Sequence, residues 1–196
     1  MHGDVLPPRY MHALQVTARL FATHQRAVTG DPFVTHLYGV SYVVSQLTWD
    51  EDVRIAALLH DVLEDVPSET YDAAKLEADF GPRVRMLVET VTHDIKKYGK
   101  EDALKRYLQQ LETGPAEASL ISGADMLYNT RDMLDAYAKD ADATAKIFGG
   151  AGAKRRDWFW HGRYDIIINK LGPSHALAQA LTAMLPAFDD MNHKIM

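Results

Sequence analysis

The segment Ala56-Ala57-Leu58-Leu59-His60-Asp61-Val62-Leu63-Glu64-Asp65-Val66 starts apolar and then sets four ionisable side chains within six positions. Burying such charge is costly unless it is paired or bound to a metal. On a helix, residues four apart share a face. His60 and Glu64 would stand on one row and Asp61 and Asp65 on the next: two potential metal ligands beside two further carboxylates. A divalent cation would offset the mutual repulsion of these carboxylates. Other residues extend the set in order: His36 upstream, Asp125 downstream, and Asn129 one helical turn after Asp125. A second His-Asp pair, His93-Asp94, reads as unrelated polar surface. The chain has no cysteine, so a metal must be held by His, Asp and Glu, which suits Mn, Mg, Fe or Zn.

Helical periodicity dominates the segments that must position these residues. Ala13, Val16, Leu20 and Ala27 fall on one stripe with His24 beside it, and Gly30-Asp31-Pro32 ends that helix. A helix over about Thr35–Gln46 carries His36. Asp50-Glu51-Asp52 opens the next, where the helix dipole favours acids, and that helix runs from Val53 through Glu64. Gly81-Pro82 separates a short helix from one with Val84, Leu87, Val88 and Val91 on its apolar face. Gly114-Pro115 precedes a long helix holding Leu120, Ile121, Ala124 and Leu127 together with Asp125. Residues 139–157, containing Phe148-Gly149-Gly150-Ala151-Gly152, read as a mobile loop or lid. Two closing helices are expected over Trp158–Leu171 and Ser174–Leu185. No repeat or linker divides the chain. The expectation is one all-α domain over 1–196, a bundle of about eight helices with its core at about 20–135 and helices from 158–187 packed on it.

Four ordered motifs resemble the HD-domain metal phosphohydrolases, and more narrowly the hydrolase domain of the RelA/SpoT family and the small alarmone hydrolases. They are Gly30-Asp31-Pro32-Phe33-Val34-Thr35-His36, the Ala56–Asp65 segment, Phe80-Gly81 through Val91-Thr92, and Asp125-Met126-Leu127-Tyr128-Asn129 followed by Arg131-Asp132. The resemblance implies that His36, His60, Asp61 and Asp125 bind one divalent ion, with Mn²⁺ first in line and Mg²⁺, Fe²⁺ or Zn²⁺ as alternatives. Such an ion lowers the pKa of water bound to it. Glu64 and Asp65 would position that water and move protons, and Asn129 would hold ribose or phosphate. The implied activity is removal of the 3′-pyrophosphate of (p)ppGpp or a related alarmone. The chain departs from the pattern twice. The family's basic pair just before the Gly is replaced by Ala27-Val28-Thr29, and the residue after the metal Asp is Met126 instead of Arg or Lys.

Anion contacts would come from Lys96, Lys97, Lys100, Lys105 and Arg106, foremost from Lys97 and Arg106, and from Arg26 near His24. Trp158, Phe159 and Trp160 read as core or dimer contacts, and a homodimer is a possible assembly. His161 has no assigned role. The net charge of −6 argues against a general nucleic-acid footprint, while a small nucleotide remains compatible with it. No run of about 18 apolar residues exists, so no membrane span is expected. Met1–Tyr10 lacks the apolar core of a leader, and a cytoplasmic setting follows. Two other readings stay open: a 5′-nucleotidase or nucleoside triphosphate hydrolase of the same superfamily, and a regulatory module that binds a nucleotide without cleaving it.

Overall fold

The computed structural model describes residues 7–27 and 29–196. The leader expectation for Met1–Tyr10 therefore lies mostly outside the described residues, as does Val28. The described chain is all-α, with an isolated antiparallel bridge between Gln25 and Pro32 as its extended pairing. It holds α1 (Pro8–Leu20), α2 (Val34–Ser45), α3 (Glu51–Leu58), α4 (Val62–Asp65), α5 (Ala73–Phe80), α6 (Pro82–Thr90), α7 (Ile95–Tyr98), α8 (Lys100–Thr113), α9 (Ala116–Lys139), α10 (Ala141–Phe148), α11 (Ala151–Leu171) and α12 (Ala176–Ile195). That is more than the expected eight, in part because short segments such as α4 and α7 are separate turns of helix. Among the described residues no helix is long and apolar enough to cross a membrane.

The 24-residue α9 is the central strut, with α2, α10, α11 and α12 packed along it. On its other side α2 packs on α3, which in turn packs on α1 and α6. In α3, Val53, Ile55, Ala56, Ala57 and Leu58 are all fully buried, so this helix is core on nearly every face. Its start is fixed by Asp50, whose carboxylate accepts from the backbone N–H of Asp52 and Val53 at 3.1 and 3.4 Å. In α2, His36, Leu37, Val40, Ser41 and Val44 form the buried stripe, so His36 stands where an apolar residue would normally stand.

The helix expected to run unbroken from Val53 to Glu64 is interrupted at Leu59–Asp61. The cause is local. Nδ1 of His60 lies 2.8 Å from the carbonyl of Ala57, the acceptor that the Asp61 N–H would use in a continued helix. The N–H of Val62 turns back to Leu59 at 3.0 Å, and the N–H groups of Glu64 and Asp65 restart from the Asp61 carbonyl at 3.1 and 3.0 Å. The first helix also ends sooner than the stripe suggests, at Leu20, leaving His24 and Ala27 in the connection to α2. The expected lid at 139–157 is ordered as the end of α9, then α10, then the first turns of α11. Asp140 caps α10 by accepting from the N–H of Ala143 at 2.8 Å, and α10 packs on α9. The helical path breaks at Asp140, which is extended, and at Gly149-Gly150, with Gly150 at φ 63°.

The two helices that carry His36 and Asp125 approach closely at one point. A Cβ built on Gly39 of α2 would lie 2.1 Å from the Tyr128 ring of α9. Gly39→Ala should therefore push α2 off α9. The expected cost is about 1–3 kcal/mol, as for other overpacked cores, with a fall in divalent-cation affinity in the same variant. Denaturant unfolding and metal titration would check the pair. Parent stability with parent affinity would show that the ring simply moves aside.

Candidate active site

Four side chains from three places in the fold converge. His36 comes from the buried stripe of α2, His60 and Asp61 from the break between α3 and α4, and Asp125 from the middle of α9. Nε2 of His36 lies 3.2 Å from Nε2 of His60, 3.5 Å from Oδ2 of Asp61 and 3.3 Å from Oδ1 of Asp125. Nε2 of His60 lies 3.3 Å from Asp61 Oδ2 and 3.7 Å from Asp125 Oδ1. Metal–ligand bonds of roughly 2–2.2 Å would put neighbouring ligands about 3–3.5 Å apart, so the spacings among His36, His60 and Asp125 fit one divalent cation, with Asp61 standing beside the two imidazoles. The donors are nitrogen and oxygen only, as a borderline or hard ion prefers. A carbonyl can only accept. The bond to Ala57 therefore puts the His60 proton on Nδ1 and leaves the Nε2 lone pair facing the cluster.

The electrostatics point the same way. Burial opposes charge on His60, but Asp61 and Asp125 outweigh it and raise its pKa to about 9. His36 is also raised against the opposing effect of burial, by Asp125 and Asp61. Asp61 and Asp125 are lowered despite burial, Asp61 by His60 and His36, and Asp125 chiefly by Arg163. The carboxylates thus create a demand for positive charge, which a divalent cation satisfies with the imidazoles neutral.

Arg163 was not singled out from the sequence. It is buried on α11 and donates to Asp125 Oδ2 at 2.8 Å, to Ser122 Oγ at 3.1 Å, and to the Ser122 carbonyl. It thereby holds one oxygen of Asp125 and turns the other toward the histidines. A signal existed: Trp160, Arg163 and Ile167 share one buried stripe, and a charge on such a stripe needs a partner.

Four residues after His60, Glu64 Oε1 accepts from the backbone N–H of His93 at 2.7 Å and lies 3.0 Å from His93 Nδ1. His93 is therefore part of the site surroundings, contrary to its reading as unrelated polar surface. The carboxyl of Asp65 is pushed up to about 6 by partial enclosure and by the charges of Asp61 and Glu64.

Asp65 opens onto a cleft of about 500 Å³ that is also lined by His24, Arg26, Phe33, Asn129 and Arg156. Asn129 donates to Asp125 Oδ1 at 2.5 Å and accepts from Arg26 at 2.7 Å. Arg26 also pairs with Asp132 at 2.9 Å and lies over the Phe33 and Tyr128 rings. Although Ala27-Val28-Thr29 carries no base, Arg26 thus brings a guanidinium into the cleft. Arg156 and Phe148 were hidden in the stretch read as a lid. The Arg156 guanidinium lies 5.3 Å from the centre of the Phe148 ring and donates to Asn192 at 2.6 Å. Lys97 and Arg106 flank the Tyr98 ring at 4.9 and 4.1 Å, and neither lines this cleft. Lys96 reaches the Glu64 carbonyl at 3.3 Å. Trp160 is core, stacked on Phe188 at 4.5 Å, whereas Trp158 is exposed. His161 faces Asp189 at 3.4 Å, away from the four donors.

Known proteins resemble this chain in sequence and in fold. A family profile described as "HD domain" matches residues 13–146. The chain is 36% identical over 128 residues to the guanosine-3′,5′-bis(diphosphate) 3′-pyrophosphohydrolase MESH1 of Drosophila melanogaster, covering 64% of this chain and 69% of that protein. It is 40% identical over 109 residues to the Mus musculus protein of the same name, covering 53% of this chain and only 57% of the mouse protein. A solved structure described as "A metazoan ortholog of SpoT hydrolyzes ppGpp and plays a role in starvation responses" matches with a TM-score of 0.72 at 27% identity, over 94% of this chain and 97% of that one.

The role of Arg163 is open to a direct check. Arg163→Lys keeps the charge but loses the planar fork that reaches Asp125 and Ser122 together. Partners that orient a metal ligand typically contribute about 10- to 100-fold in affinity, and a loss of that size is expected in calorimetric titration with Mn²⁺. Unchanged affinity would mean that Asp125 is oriented by Asn129 alone.

Proposed function

We propose that this chain, which belongs to the HD domain family, is a metal-dependent phosphohydrolase that removes the 3′-pyrophosphate of (p)ppGpp or a related alarmone. The observation that carries the reading is the set of four nitrogen and oxygen donors beside Glu64, with Asp65 opening onto a cleft large enough for a nucleotide. His36, His60, Asp61 and Asp125 are the proposed ligands, and Mn²⁺ is the proposed ion. When bound, the cation would supply Lewis acidity to a water and to the phosphate oxygens.

The protein's own groups do the rest. Two hydrogen bonds hold Oε1 of Glu64, which leaves Oε2 to take a proton from the water that attacks the 3′-linked phosphorus. Asp65, at the cleft, is placed to pass a proton to the departing side. The phosphorus–oxygen bond to the ribose breaks, giving pyrophosphate and the 5′-di- or triphosphate nucleoside. Arg26 and Asn129 line the cleft as substrate contacts, and Phe33 offers a ring to a base. Arg26 is already engaged by Asp132 and Asn129, so its contribution to reading the base should be weak. That same engagement favours, as a second reading, an enzyme that cleaves 5′-phosphates of nucleotides with little regard to the base.

The test compares ppGpp, pppGpp and ppApp with 5′-nucleoside mono- and triphosphates in Mn²⁺. Cleavage of the 3′-diphosphates, with modest preference among bases, is expected. Cleavage confined to 5′-phosphates would select the second reading, and a metal-loaded protein that cleaves nothing would be a binding module. On the best substrate, His60→Ala should lose metal and turnover together. Glu64→Gln should keep the metal while turnover falls about 10²- to 10⁴-fold, the usual size of a general acid–base contribution. Parent turnover in Glu64→Gln would leave that residue as a mere helix-end charge.

A further inference from the structure

His93 is engaged on every side that bears on Glu64. Its backbone N–H and its Nδ1 both meet Oε1 of Glu64, at 2.7 and 3.0 Å. A carboxylate oxygen only accepts, so Nδ1 carries the imidazole proton. Nε2 is enclosed without a hydrogen-bond partner, which suits a bare lone pair better than a second N–H. The ring lies flat on Tyr107, with centroids 4.0 Å apart and 8° between planes, and meets the edge of Phe159 at 5.2 Å. Tyr107 is itself buried, and its hydroxyl donates to Ser122 Oγ at 2.8 Å. Ser122 Oγ accepts from Arg163 at 3.1 Å, and Arg163 holds Asp125 at 2.8 Å. The surface that fixes the His93 ring is therefore tied to the surface that fixes a proposed metal ligand.

We propose that His93 is a positioning residue for the hydrolysis: it occupies Oε1 of Glu64 and so assigns the proton transfer to Oε2. The inference rests on the proposed catalytic role of Glu64 and adds to it the group that orients the carboxylate. A lone carboxylate could rotate and present either oxygen. One held by two donors on the same oxygen presents the other in a fixed direction, and placing the reacting atoms is a major part of catalysis.

The experiment uses the full chain with His93→Leu, which fills the space over Tyr107 without a side-chain donor, and His93→Asn, whose amide nitrogen can take the place of Nδ1. On the best substrate of the parent, kcat should fall about 10- to 100-fold in His93→Leu, with KM and metal content close to the parent. His93→Asn should recover most of that loss. A parent kcat in His93→Leu, an equal loss in both variants, or a loss confined to KM would overturn the proposal. Nitrogen-15 NMR of the imidazoles supplies a readout independent of turnover. The His93 proton should sit on Nδ1, and its resonance should move in Glu64→Gln. A proton on Nε2, or no response to Glu64→Gln, would overturn the proposal even if the variants could not be obtained folded. An intact Nδ1–H bond in a protein that cleaves no nucleotide would sink the proposed function and leave the geometry of the pair standing.

Discussion

Two imidazoles, each within 3.2–3.7 Å of the other and of the carboxylates of Asp61 and Asp125, are the constraint around which this fold is arranged. Such a cluster, with both histidines nearly fully buried, needs a compensating positive charge. The electrostatic environment favours protons on the imidazoles, and a divalent cation meets the same demand with one charge centre. Everything nearby keeps the four donors from spreading apart.

That restraint is exerted by backbone before it is exerted by side chains. The buried α3 holds His60 because the residue itself ends the helix, taking the Ala57 carbonyl with Nδ1 and leaving Nε2 exposed to the cluster. Gly39 lets α2 come against Tyr128 of α9, which sets how near His36 stands to Asp125. Arg163 then fixes Asp125 from a third helix. A methyl group at residue 39, or a change in the fork at residue 163, acts on the donors without touching them.

The chemistry-bearing half of the site was readable in the sequence because it lies in short, ordered segments. His60, Asp61, Glu64 and Asp65 are neighbours in the chain, and His36 and Asp125 sit among apolar residues at helical spacing. The all-α class followed from the same periodicity. What could not be read were side-chain detours and long-range pairings. The break at Leu59–Asp61 depends on one imidazole competing with one N–H for one carbonyl. His93 reaches Glu64 from 29 residues away, and Arg163 reaches Asp125 from 38. No local pattern reports either pairing. The stretch 139–157 misled because its glycines are conspicuous, whereas the cap at Asp140 and the packing of α10 on α9 are not.

The substrate half differs in kind. Its lining comes from the connection between α1 and α2, from α9, and from the α10–α11 region, segments that meet only through the fold. Arg26 illustrates the consequence. Read along the chain, it stands four residues before Gly30 and outside the place where a basic pair is expected. In the fold, its guanidinium reaches Asn129 and Asp132 and lies over Phe33. Because Asn129 also holds Asp125, a change at Arg26 is passed by two hydrogen bonds to a proposed metal ligand. A substrate contact made by Arg26 and the orientation of Asp125 would therefore not be independent here. Alterations at Arg26 should be felt in turnover as well as in binding, whereas an enzyme with a free basic pair could separate the two.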